Sequence, residues 1–226
     1  DRGWEYACSG VAHGKVRGVE VSIVDQNNNG RWNDVGADAM FLGKAEAACF
    51  LSQVVNLKGE LYELEVSADG RRAVTRPYAG PRATLNLAAS FDAEGELVTA
   101  VMRASDKRFS FDFAGYKNGL AVPAGSYVLE HAYGRKGAET VRGRAGRMQP
   151  VVLKEGENRL LGWGGPVTCE FTYAENSADE ITVQIPTFYG AAGEEWYEFQ
   201  PDAKSPKIYV LDEKGKELWS GQFGGC

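Results

Sequence analysis

The sequence predicts an all-β protein, assembled from two or three small antiparallel β-sandwich units. Three observations carry that expectation. Apolar and polar residues alternate with period 2 in several separate runs, the signature of strands with one buried face. Turn-forming triplets punctuate the runs: Ala68-Asp69-Gly70, Ala93-Glu94-Gly95, Pro123-Ala124-Gly125 and Glu213-Lys214-Gly215. No amphipathic helix longer than three turns can be drawn, so an alternating strand-helix enzyme fold has no support.

Taken in chain order, Val19, Val21 and Ile23 alternate with Glu20 and Ser22 and form the first clear strand. The alanine-rich piece from Ala45 to Ser52 is the one segment expected to form a short helix. Tyr62, Leu64 and Val66 alternate with Glu63 and Glu65. Phe109, Phe111 and Phe113 alternate with Ser110 and Asp112. Tyr127, Leu129, His131 and Tyr133 share one face of a further strand, and Ile181, Val183 and Ile185 alternate with Thr182 and Gln184. Prolines and glycines break the ladder at Arg76-Pro77-Tyr78-Ala79-Gly80-Pro81 and again at Gly162-Trp163-Gly164-Gly165-Pro166. The expected organisation is therefore a small N-terminal β domain over 1–80 and a β-sandwich region over 81–226, with a second break near 164. Glycine, 28 of 226 residues, exceeds the usual ~7% and suits many tight turns.

Composition narrows the partners. Lys and Arg number 25 against 31 Asp and Glu, for a net charge of −6 and a pI near 5.1. That balance argues against nucleic acid or an anionic membrane surface as the main partner. No apolar stretch reaches 18 residues, so no membrane span is expected. The first residue is Asp1, which fits a processed mature chain or a trimmed one; the expected setting is secreted, periplasmic or at the cell surface. Cys8, Cys49, Cys169 and Cys226 contain no C-x-x-C pair, and their spacing favours disulfides Cys8–Cys49 and Cys169–Cys226 over four free thiols.

The sharpest motif follows the first strand: Asp25-Gln26-Asn27-Asn28-Asn29-Gly30-Arg31-Trp32-Asn33-Asp34, then Asp38. Oxygen-bearing side chains at 25, 27 and 29 occupy loop positions 1, 3 and 5, and Gly30 takes position 6, where the chain must turn sharply. This spacing suits Ca²⁺, with Asp25, Asn27, Asn29, the Arg31 carbonyl and Asp34 or Asp38 as ligands. Position 12, which calls for a bidentate acid, is Gly36. Two asparagines lower the ligand charge, so the expected affinity is weak, on the order of 10⁻⁴–10⁻³ M. Two readings stay open: a Ca²⁺ loop, or an Asx-rich turn that needs no ion.

That loop resembles the D-x-[DN]-x-[DN]-G half of calcium loops in EF-hands, dockerins and thrombospondin-type repeats. With Leu57-Lys58-Gly59-Glu60-Leu61-Tyr62 and Val66-Ser67-Ala68-Asp69-Gly70, it resembles uncharacterised secreted bacterial β-sandwich proteins. Val122-Pro123-Ala124-Gly125-Ser126-Tyr127 is similar to the P-x-G-x-Y turn of carboxypeptidase-regulatory-like, transthyretin-like sandwiches. These resemblances imply immunoglobulin-like or transthyretin-like units and an accessory or surface role. They transfer no catalytic residue.

Other groupings are weaker. A hydrolytic triad would need His13 or His131; the first is expected in a solvated loop and the second in a semi-buried strand face. Glu194-Glu195 before Trp196-Tyr197 could line a sugar cleft, or simply turn the chain into a strand. The stretch 134–147 holds Arg135, Lys136, Arg142, Arg144 and Arg147 against Glu139, and could meet a sulfated or phosphorylated polymer or remain a solvated hairpin. Trp4, Trp32, Trp163, Trp196 and Trp219 are open between core and an exposed sugar platform. The expected function is a secreted, non-catalytic structural or binding protein with a calcium-stabilised loop and a protein or glycan ligand. The alternative is a carbohydrate-binding module or an enzyme accessory domain.

Overall fold

The computed structural model describes residues 10–177, 180–200 and 207–222. The fold is all-β: among the described residues strand accounts for 56% and helix for none, so their buried faces arise from strand alternation. No helix among the described residues is long and apolar enough to cross a membrane.

The N-terminal part forms two small sheets. β1 (Val11–Val16), β2 (Val19–Val24), β3 (Ala39–Leu42) and β4 (Cys49–Phe50) make a four-stranded antiparallel sheet in that order. β5 (Val54–Leu57), β6 (Glu60–Val66) and β7 (Ala73–Pro77) make a three-stranded meander. The remainder comprises β8 (Arg82–Asn86), β9 (Phe91–Asp92), β10 (Glu96–Ala104), β11 (Ser110–Asp112), β12 (Leu120–Pro123), β13 (Gly125–Lys136), β14 (Glu139–Arg144) and β15 (Val151–Leu153). It continues through β16 (Asn158–Leu160), β17 (Trp163–Gly164), β18 (Thr168–Glu170), β19 (Tyr173–Ser177) and β20 (Glu180–Val183). β21 (Thr187–Tyr189), β22 (Glu195–Gln200), β23 (Lys207–Leu211) and β24 (Glu217–Gln222) follow. The main sheet runs β11-β10-β13-β14-β22-β21-β18, with β15 also paired to β13. β12-β8-β16 forms a second layer, and β19–β20 and β23–β24 are separate hairpins.

Two buried clusters hold these layers together. The larger contains Leu85, Met102, Phe113, Val122, Tyr127, Trp163 and Trp196. The smaller contains Val21, Ile23, Met40, Leu51, Leu57 and Leu64. They meet along strands buried on both faces. Val54 of β5 packs in the larger cluster while its neighbour Val55 packs in the smaller. Likewise Ala100 and Met102 face one cluster and Val101, between them, faces the other. The 80/81 break therefore separates two sets of sheets that pack on shared strands. Across the 164 break, β17 pairs in parallel with β9, and Trp163 stacks on Trp196 with ring centroids 5.9 Å apart.

Several local expectations change. The 45–52 piece forms no helix: β4 pairs with β3, and the Leu51 N–H donates to the Asp38 carbonyl at 2.7 Å. Tertiary pairing of those backbone groups outweighs alanine's helix propensity. All three phenylalanines at 109–113 are buried, but so is Ser110, whose hydroxyl accepts the Phe50 N–H at 3.1 Å. Ile185 is 87% exposed instead of buried. On β13 a register shift against β10, between Val101 and Met102, breaks the alternation: Leu129 and Ala132 are buried and His131 turns half-outward. His13 lies within β1, not in a loop. The turn before β13 is closed by Tyr127, which is fully buried and donates its hydroxyl to the Pro123 carbonyl at 2.8 Å.

Cys49 is buried and Cys169 exposed, both with free thiols. Their expected partners, Cys8 and Cys226, lie outside the described residues, as does Trp4. Burial pushes the Cys49 thiol up to about 12, and it donates to the Met40 carbonyl.

Candidate functional site

The 25–38 loop leaves the sheet at the end of β2 and returns at β3, so its two ends are held side by side by the β2–β3 ladder, Val24 opposite Ala39. Asp25 begins it. Its backbone N–H donates to the Gly10 carbonyl at 3.1 Å, and its side chain is buried. Asp25 Oδ1 accepts the Asn29 N–H at 3.1 Å and Oδ2 accepts the Gly30 N–H at 2.7 Å. Asn27 Oδ1 accepts that same Asn29 N–H at 3.2 Å, and Asn29 Oδ1 accepts the Arg31 N–H at 2.9 Å. These are Asx turns wound in sequence: each side-chain oxygen reads the backbone two to five residues on. Gly30 has φ +78°, the left-handed turn its position requires, and Asn28 is left-handed as well, at φ +56°.

Asp34 closes the ring. Its Oδ2 accepts the side-chain amides of Asn27 at 2.9 Å and Asn29 at 2.6 Å. Those two hydrogen bonds hold its carboxyl below the ordinary value, and the Arg31 charge acts in the same direction. Asp25, Asn27, Asn29 and Asp34 are thus brought together. Arg31 contributes its N–H and its charge. Asp38 does a different job. It is fully buried, with Oδ1 accepting the Gln26 N–H at 3.3 Å and Oδ2 accepting the Asp34 N–H at 2.9 Å, so it braces both limbs of the loop. Burial pushes its carboxyl up despite those bonds, and the nearby Asp34 and Asp25 charges add to the shift.

Gly36, at the twelfth position, docks the loop on the main sheet. Its N–H donates to the Leu51 carbonyl at 2.8 Å, and Arg103 donates to its carbonyl at 3.2 Å. A Cβ there would lie 2.6 Å from the Lys107 carbonyl oxygen, so no acid can occupy this position. Among the described residues, no three His, Cys, Asp or Glu side chains are grouped to hold a metal ion. The amide nitrogens of Asn27 and Asn29 face Asp34 while their oxygens accept backbone N–H groups; two carboxylates and two amides in one loop are nonetheless oxygen-bearing groups of the kind that suits a hard cation such as Ca²⁺. The set is also satisfied internally by backbone and amide hydrogens.

The remaining candidates resolve into structural roles. Each cation of the basic stretch has an acid beside it: Arg135 with Glu96, Lys136 with Glu94, Arg142 with Glu198, Arg144 with Glu195 and Arg147 with Glu170. Arg144 and Arg147 also lie over the rings of Tyr197 and Tyr189. Glu194 is fully buried beside Trp196: its carboxylate accepts N–H groups of Gly164, Ala192 and the Trp196 indole at 2.6, 3.0 and 3.2 Å. It clamps the core, and a Cβ at Gly190 would run into its Oε1. The pair Glu194-Glu195 ahead of Trp196-Tyr197 left a cleft or a plain turn open; nothing local to the sequence announced a buried clamp. His13 Nδ1 lies 2.8 Å from Ser22 Oγ, as cross-strand partners on an exposed hairpin, and no carboxylate orients the ring among the described residues. Trp163 and Trp196 are core, whereas Trp219 is 56% exposed.

Compared with known proteins, the chain matches no family model, no curated protein and no solved structure.

Proposed function

We propose that the chain is a non-catalytic structural or binding module of an extracellular or periplasmic setting, and that its 25–38 loop takes up Ca²⁺. One observation carries the reading. Asp25, Asn27, Asn29 and Asp34 are linked by hydrogen bonds within one loop, and its three carboxylates form no salt bridge among the described residues; a rotation of the two amides would turn their oxygens towards Asp34. A cation held there would offset the mutual repulsion that contributes to raising Asp38. Asp25 and Asp34 would supply charge, and the two asparagines neutral oxygens. The expected weak affinity matches the calcium levels met outside the cell, which is why the setting is part of the proposal. A non-catalytic role draws support from the pairing of His13 with a strand neighbour and from the commitment of Glu194 to the core.

Thermal melting in millimolar CaCl₂ and in EDTA tests this. Binding to the folded state alone should stabilise the wild type by about 1.4 kcal/mol at a tenfold excess over Kd. Asp25→Ala should abolish the increment. Asp34→Asn, which preserves side-chain shape, should reduce it and guards against a folding defect in the first variant. An absent shift in the wild type, or an equal shift in all three, would return the loop to a self-sufficient Asx turn.

A further inference from the structure

We propose that the β19–β20 hairpin is a docking arm for a second copy of this chain, and that its apolar face lies on the basic seam between β1 and β7 of that copy. The arm prolongs the β18–β21 pair at the edge of the main sheet. Glu170 lies opposite Thr187, the Gln184 N–H donates to the Thr172 carbonyl at 2.9 Å, and Tyr173 lies opposite Val183. Every side chain from 167 to 177 is exposed. Residues opposed across two strands share a face, and so do residues two apart. Phe171, Tyr173, Val183 and Ile185 therefore share one face, and Thr172, Ala174, Thr182 and Gln184 share the other. The first face has no core beneath it: Phe171 is 48% exposed, Tyr173 62% and Ile185 87%. A lone two-stranded hairpin is marginal in water. One that is polar on one side and bare apolar on the other has the pattern of a sheet half-buried against a partner.

Charge decides what that partner is. From 167 to 189 the sequence holds four acids and no Lys, Arg or His. Glu170 pairs with Arg147 at the root of the arm, while Glu175 and Glu180 have no ion pair among the described residues. Two arms laid face to face would bring like charges together, which is costly. The surface that complements the arm is the seam where β1 and β7, edge strands of the two N-terminal sheets, come together. Arg17 ties it, with Nε donating to Thr75 Oγ1 at 3.2 Å, and so does Gly70, where a Cβ would lie 2.9 Å from that of Ala12. The cleft along the seam measures about 340 Å³, and its apolar wall includes Val16, Leu64 and Val66. Its charged lining is His13, Lys15, Arg71 and Arg72, with no acid among them. Lys15 pairs with Glu20 and Arg71 lies near Asp69, but Arg72 has no ion pair among the described residues.

Another apolar cleft, beside the β13–β14 turn, repels an acidic arm. It is lined by Glu94, Glu96 and Glu139, and its two cations already pair with the first two. On the seam, by contrast, the rings of Phe171 and Tyr173 cover Val16 and Val66, and Glu175 and Glu180 meet Arg71 and Arg72. A two-fold exchange, each copy's arm on the other's seam, uses one contact twice and closes the assembly as a dimer. The proposal does not depend on calcium uptake.

Sedimentation equilibrium of the full chain over a wide concentration range tests it, in EDTA and with a reductant because Cys169 is an exposed free thiol. A reversible dimer is expected, weaker in high salt. Tyr173→Ser with Ile185→Ser, and separately Arg71→Glu with Arg72→Glu, should each weaken association at least about tenfold. All four residues are exposed, so unchanged melting temperatures should show that the variants fold. Glu175→Lys with Glu180→Lys should restore dimers on the Arg71→Glu, Arg72→Glu background, a recovery that a merely structural role of the seam would not give. Arg142→Ala, on the main sheet, should leave the dimer unchanged. The proposal is overturned by a monomer at every concentration, which is the result if the arm covers its own chain or a different protein. A dimer that neither pair of substitutions weakens, or charge-reversed arms that restore nothing, overturns it equally.

Discussion

The acidic loop at 25–38 and the basic stretch at 134–147 both concentrate charge of one sign, yet the fold handles them in opposite ways. Arg135, Lys136, Arg142, Arg144 and Arg147 lie along a sheet surface and meet acids on neighbouring strands or loops. Asp25 and Asp38 are buried, Asp34 sits between them, and what they meet is backbone and amide N–H. An exposed pair in high dielectric contributes little and can be exchanged at small cost. A buried carboxylate must have its hydrogen bonds, because a low-dielectric surrounding magnifies what is left unpaired. The difference teaches that a basic run in the sequence need not mark a polyanion site, whereas a loop that gathers three carboxylates around a single arginine, none of them in a salt bridge among the described residues, is where an external cation has something to offset.

The largest effect that would break this contrast is expected at Asp38. Asp38→Ala orphans the Gln26 and Asp34 N–H groups in a partly buried setting and should cost about 2–4 kcal/mol. Urea denaturation reads it, and a loss below about 1 kcal/mol would show that the loop is held by its ladder and not by this carboxylate.

Next in size is the pH dependence of the loop. Asp38's folded value lies above its ordinary 3.8, so on acidification the folded chain takes that proton first and stability rises as pH falls through the raised value towards 3.8. Asp34's folded value lies below 3.8, so there the unfolded chain takes the proton first, and stability is lost as pH falls from 3.8 through the lowered value. Subtracting the stability curve of Asp38→Asn from wild type should isolate the rising limb, and that of Asp34→Asn the falling one. Limbs of the same sign in both difference curves would contradict the opposite environments assigned to these residues.

The smallest effect belongs to the basic stretch. Arg142 pairs with Glu198 at 3.1 Å with both side chains about half exposed, and Arg142→Gln should cost less than about 1 kcal/mol, a difference that fades in high salt. His131 gives a sharper reading of the same change. Burial chiefly lowers its pKa, and the Arg142 charge lowers it further, so Arg142→Gln should move the His131 titration upward in an NMR pH series. A downward shift would place Arg142 elsewhere.

Much of the fold was legible in local pattern. Val19–Ile23, Tyr62–Val66 and the turn at Pro123 appear where alternation and turn chemistry put them, because a period-2 run has few other ways to bury one face. The Asx-turn bonding of the loop oxygens at 25, 27 and 29 was also legible, since their spacing dictates which backbone N–H each can reach, whereas Asp34 meets the side-chain amides of Asn27 and Asn29. What local pattern could not carry is everything that depends on a second layer. The 45–52 segment is extended because β3 and Asp38 claim its backbone, and His131 turns half-outward because β10 forces a bulge. Val54 and Val55 serve different cores because two sheets pack on one strand. Gly36 stands where an acid was wanted because the Lys107 carbonyl leaves no room for a Cβ. By itself the sequence determined the strand class, the turn chemistry and the loop's internal hydrogen bonding, all set by neighbours along the chain. Only the tertiary structure decided which charges are paired and which acids are buried, because those depend on residues distant in sequence arriving at the same place.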